Sequence, residues 1–199
     1  MNYSNAKKGF RKLFVAEMLI ILSNILGAFT DKALVLGLVA VIAMIVAFFI
    51  NLSGLSLMAK DDGGYKKAYN FTVAGIIITV AAVIVGVIFK DNAVIYSYTS
   101  NISNASSRIF EYITAILVMK ASIGVLTNLN KEDLVKKTKA TYILYSISYA
   151  LAILLSIFTN TTSVLVGTLV LIGALVALVL GLVSQIKYYI FLKTMASKL

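Results

Sequence analysis

Long apolar runs alternate with short polar joints along the whole chain, and six runs stand out: residues 13–30, 33–58, 68–89, 109–129, 140–159 and 163–192. Each approaches or exceeds the roughly 20 residues that a helix needs to cross about 30 Å of hydrocarbon. Lipid offers no partner to a free backbone N–H or C=O, so an unbroken helix is the conformation that satisfies such a segment internally. The pattern predicts an all-α polytopic membrane helix bundle. It is a single transmembrane domain over residues 1–199, with six transmembrane helices.

The joints fit this reading. Thr30–Asp31–Lys32 and Asn160–Thr161–Thr162 read as tight turns, and Asp61–Asp62–Gly63–Gly64 is a strong turn signal. Asn130 to Lys139 is a charged joint. Residues 91–107, rich in Asn, Ser and Tyr, read as the one long loop.

The polar and small positions within the runs suggest three tandem two-helix hairpin repeats. Gly9–Phe10–Arg11–Lys12, Gly64–Tyr65–Lys66–Lys67 and Leu134–Val135–Lys136–Lys137 each precede an odd-numbered run. The second run carries Ala43, Ala47 and Asn51 at four-residue spacing, and the sixth carries Gly173, Ala177, Gly181 and Gln185. Lys120 occupies the corresponding place in the fourth. Small residues at every fourth position line one stripe of a helix and let two backbones approach, so Ala43, Ala47, Gly173, Ala177 and Gly181 are expected at helix contacts.

Charge sharpens the topology. Fourteen Lys and Arg residues fall in the N-terminal segment, the second and fourth joints and the C-terminal end. Only Lys32, Lys90 and Arg108 fall on the other side, and Lys120 lies within a run. The excess of cations on cytoplasmic loops then places both termini in the cytoplasm of a multi-pass protein of the cell membrane. Tyr65, Tyr69, Tyr96, Tyr98, Tyr188 and Tyr189 lie near run boundaries, where aromatic side chains anchor at the interface.

Composition supports lipid as the surrounding medium: 60% of the 199 residues are apolar and 13% are charged, about half the charged share of a soluble domain. The net charge of +10 does not indicate nucleic acid, because the lysines sit in short gaps between apolar runs and form no basic face. The chain has no Cys, His, Pro or Trp. Disulfides and thiol chemistry are excluded, zinc and haem lose their usual ligands, and Ser–His and Cys–His machinery cannot be built. No cofactor, metal site or enzymatic activity is expected.

What remains is a set of polar residues inside the runs. Charges there are rare and face protein or water. Glu17 and Lys120 are the two clear cases, and a pairing between them is expected. Asn51 and Gln185 lie at comparable depth, and Tyr142, Tyr145, Ser146 and Tyr149 share one helix face. Glu17, Asn51, Lys120, Tyr145, Tyr149 and Gln185 thus form a candidate ligand-binding layer. Glu111, three residues after Arg108, reads as half of a surface pair on its helix.

Two function classes follow. One is a non-enzymatic interaction or assembly subunit that meets a membrane-protein partner within the lipid bilayer. The other is a small-solute binding or transport subunit that uses the polar layer. The absence of proline, and so of the broken helices many transporters use, favours the first. A cavity around the polar layer would favour the second.

Overall fold

The computed structural model describes the backbone of residues 3–29, 34–157 and 164–199, and their side chains except at 34, 100–108, 154–157 and 164–169. The expected turns at 30–32 and 160–162 lie outside the described residues. Within them are six helices: α1 (Ser4–Gly27), α2 (Leu34–Met58), α3 (Gly63–Ile88), α4 (Ala93–Asn128), α5 (Glu132–Ile157) and α6 (Val164–Lys198).

Among the described residues, four stretches are long and apolar enough to cross a membrane: Val35–Met58, Gly63–Ile88, Ile109–Asn128 and Val170–Lys198. The chain is therefore a helical membrane protein. α1 and α5 are not among the four; α1 carries Lys7, Lys8, Arg11, Lys12 and Glu17, and α5 carries Lys136, Lys137 and Lys139.

Residues 93–107 are helical, where the sequence pattern suggested a loop. Asn92 caps this helix, its side chain accepting from the Ile95 N–H at 3.2 Å, and no Gly or Pro follows before Gly124 to break it. A polar helix keeps its backbone paired as well as an apolar one does, so composition alone misread the segment.

The helices close into a ring in chain order: each packs on the next, and α6 returns to α1. The tightest contacts lie within the α1–α2 and α3–α4 hairpins, and small residues explain them. On α1, Gly9, Ala16 and Ser23 recur every seven residues; on α2, so do Ala40, Ala47 and Gly54. All six are buried. The two stripes face each other: Ser23 Oγ donates to the Ala40 carbonyl at 2.8 Å, and a Cβ placed on Gly9 would lie 2.6 Å from the Gly54 carbonyl oxygen. Without side chains between them, the backbones come into direct contact.

The α3–α4 hairpin uses an eleven-residue interval, three helical turns, to the same end. Gly64, Gly75 and Gly86 meet Ala121, Phe110 and Thr99 in turn. Hydroxyl pairs add to it, Tyr65 with Ser122 at 3.1 Å and Thr72 with Thr114 at 2.8 Å. The α5–α6 hairpin has its own, Ser148 donating to Ser184 at 3.0 Å. Each such bond is worth about 0.6 kcal/mol within lipid, so these fix register more than they supply stability.

The buried core gathers at one end of the ring. Tyr3, just before α1, and Phe10 and Leu13 of α1 pack there with Leu55 and Met58 of α2, Tyr65 of α3, Val125 and Leu126 of α4, and Phe191, Leu192 and Met195 of α6. Phe10 makes edge contacts with Tyr65 at 5.9 Å and Phe191 at 5.7 Å, filling the ring's centre with aromatic rings. Both termini and the second and fourth joints lie at this end, where Lys131 Nζ donates to the Lys198 carbonyl. Toward the other end the large apolar side chains of Val83–Phe89 and Leu171–Val179 mostly face outward, as lipid contact requires.

The Asp61–Asp62 joint does more than turn the chain. Asp62 caps α3, accepting from the Gly64 N–H at 2.7 Å. Asp61 reaches back to the start of α1, accepting from Ala6 N–H at 2.6 Å and Asn5 Nδ2 at 2.8 Å. A carboxylate there satisfies orphan donors and complements the helix dipole. Asp61→Ala should lower stability by about 1–2 kcal/mol, read as a lower apparent Tm in detergent, with Asp61→Asn retaining much of the difference. Equal melting of both variants and the wild type would show that the contact contributes nothing.

Candidate functional site

A ring of six helices plugged at one end encloses space above the plug. A cavity of about 450 Å³ lies there, lined by residues from all six helices. Its floor is shared with the core: Leu13, Leu55, Ala115, Val118, Tyr145 and Tyr188 belong to both. Met44, Phe48, Ile76, Val80 and Phe110 form apolar walls. The polar groups facing it are Glu17, Asn51, Thr72, Thr79, Glu111 and Thr114.

Glu17 sits one turn above Leu13 on α1 and is only 6% exposed. Its Oε2 atom is buried with no hydrogen-bond partner, and so is Oδ1 of Asn51 on α2. Buried polar atoms are rarely left unpaired, because losing water without a replacement costs about 1–3 kcal/mol, and more for a charge. Two orphaned acceptors lining one cavity therefore mark it as a place prepared for donors.

Aromatic stacking supports the far wall. Tyr112 of α4 lies against Tyr149 of α5 at 3.8 Å, nearly parallel, and against Tyr145 at 5.7 Å. Tyr145 in turn meets Tyr188 of α6 at 5.4 Å. A smaller cavity of about 240 Å³ lies between α4, α5 and α6, bordered by Glu111, Tyr145, Tyr149, Ala177, Gly181 and Gln185. Glu111 and Tyr145 line both spaces. Gln185 Nε2 donates to the Tyr189 hydroxyl at 3.0 Å.

The expected layer thus divides. Glu17, Asn51 and Tyr145 line the central cavity, and Tyr149 and Gln185 line the smaller one. Lys120 lines neither; it is exposed on α4, and α4 does not pack on α1. The pairing expected between Glu17 and Lys120 does not form, because the ring places their helices apart. A lysine stem is long enough to carry its ammonium from the helix surface to the membrane interface. Lys120→Gln should change stability by less than about 0.5 kcal/mol, and Glu17→Lys combined with Lys120→Glu should show no mutual rescue of expression. Rescue by the double exchange would restore the pairing.

The packing residues divide too. Ala47 is fully buried and Ala43 is half-buried on α2. On α6, Gly173 and Ala177 are half-buried and a Cβ on Gly181 would meet nothing within 4 Å. That stripe borders open space, whereas the close approach falls at Gly9 and Gly54.

Glu111 is the residue that sequence reasoning set aside. Arg108's side chain lies outside the described residues, so the surface pair expected for Glu111 has no description here, but Glu111 borders both cavities. Its spacing from Tyr112, Ala115 and Val118 places it beside the core-facing stripe of α4, a signal that was available in the sequence. The threonines at 72 and 114 carried none, since a lone Thr in a membrane helix bonds its own backbone as readily as anything else. Compared with protein-family models, with curated proteins and with solved structures, the chain matches none.

Proposed function

We propose that the protein is a small-solute binding or transport subunit of the cell membrane, and that the central cavity is its binding site. In this reading all six helices cross the bilayer as three hairpin repeats, with both termini in the cytoplasm. The observation that carries it is a cavity of about 450 Å³ bordered by every helix and containing two partnerless acceptor atoms, Glu17 Oε2 and Asn51 Oδ1. Ligand sites are concave, mostly apolar and furnished with a few placed polar groups, and this cavity has that character.

An interaction or assembly subunit needs a complementary outer surface and no interior space. The exposed apolar faces of α2, α3 and α6 are what lipid contact alone demands, so they do not favour that reading. The proposal assigns no catalytic step.

The test is purification from the native membrane through a C-terminal tag, followed by mass spectrometry of everything retained. The expected result is a small molecule held by the wild type and absent from Ile76→Trp, which fills the cavity. A stoichiometric partner protein, with no small molecule in either sample, would replace the proposal with the assembly reading.

A further inference from the structure

We propose that the cavity takes a protonated organic amine with an apolar body; this rests on the solute-binding reading and specifies its substrate class. The charges of the lining run against those of the chain. The protein carries +10, yet among the described residues the cavity is bordered by two carboxylates, Glu17 and Glu111, and by no Lys or Arg. An anion would meet no countercharge among the described lining residues and would be repelled by Glu17. A cation would meet a carboxylate that is more than nine-tenths buried, in a setting where pairing is worth more than in water.

Hydrogen-bonding capacity narrows the class further. The two orphaned atoms, Glu17 Oε2 and Asn51 Oδ1, both accept. The ligand must therefore donate, which an ammonium does and a quaternary nitrogen does not. Tyr145 and Tyr188 stand on the same floor, and aromatic faces attract cations most strongly where water is excluded. Apart from Thr72, Thr79 and Thr114, the remaining walls are apolar, with Met44, Phe48, Ile76, Val80 and Phe110 suited to a hydrocarbon body. A solute of this kind places its charged end at Glu17 and its apolar end among Met44, Phe48 and Ile76.

The test uses matched probes that share one apolar body and differ in charge: 1-adamantanamine, 1-adamantanol and 1-adamantanecarboxylate, with the cyclohexyl and phenylpropyl series alongside. Binding to the full chain in lipid nanodiscs is measured by calorimetry. In at least one series the amine is expected to bind about tenfold or more tightly than its alcohol, and the carboxylate not to bind. Glu17→Gln should erase the amine's advantage over the alcohol. The wild-type comparison decides the matter even if that variant fails to fold. Alcohols or carboxylates binding as well as amines would overturn the amine inference while leaving the solute-binding reading intact. No binding in any series, together with no small molecule on the purified protein, would overturn both.

Discussion

Replacing Gly9 with alanine should destabilise the protein by about 1–3 kcal/mol, and replacing it with leucine should abolish the folded bundle. An added Cβ would lie 2.6 Å from the Gly54 carbonyl oxygen and would also collide with the Met58 side chain. Met58 can move, since its side chain is flexible. The Gly54 carbonyl cannot, because it belongs to the backbone of α2, and separating the helices there would pull apart Ala16 from Ala47 and Ser23 from Ala40 along the same stripe. Gly181→Ala is the matched control. Its Cβ would meet nothing within 4 Å, so the ordinary helix preference for alanine should stabilise by a few tenths to about 1 kcal/mol. The two substitutions should therefore shift the apparent Tm in detergent in opposite directions. Equal shifts would mean that the α1 and α2 backbones do not touch at Gly9 and Gly54.

The second large effect is expected at Glu17, where stability and binding should move apart. Removing the carboxylate relieves a buried group whose Oε2 has no donor. Glu17→Met, an apolar side chain of similar length, should therefore raise the stability of the ligand-free protein by about 1–3 kcal/mol. For a chain of this length that corresponds to several degrees in Tm. The same change should abolish solute-dependent stabilisation. Residues that hold a ligand are commonly kept at the expense of stability. Thermal melts of wild type and variant, each with and without added amine, read both quantities. A lower Tm for the variant without ligand would show that Glu17 serves the bundle and not a solute.

The contrast between these two sites shows what each kind of information supplies. Gly9 reads in the sequence as part of a basic entry motif, and its seven-residue relation to Ala16 and Ser23 becomes meaningful only beside the matching interval on α2. Glu17 is conspicuous at once, because a carboxylate in an apolar run is costly whatever surrounds it. Its partner is another matter: Lys120 has the right charge and depth, but depth says nothing about which helices are neighbours.

The sequence by itself determined that this is a helical membrane protein. It also marked the C-terminal ends of α1 to α5 within three residues, although α1, α3, α4 and α5 begin well before their apolar runs. It gathered most cations into segments that meet at one end of the fold. Those properties follow from one-dimensional quantities: the length of apolar runs against the thickness of hydrocarbon, and the positions of charges along the chain. Only the tertiary structure decided that the helices close into a ring, that aromatic side chains plug one end, and that Glu17, Asn51, Glu111 and Tyr145 border one cavity while Lys120 stays outside it. The physical reason lies in the solvent. In lipid, apolarity marks the faces that contact neighbouring helices no differently from those that contact hydrocarbon, so rotation and neighbour choice rest on close packing between small residues, which is a property of two surfaces at once and of neither alone.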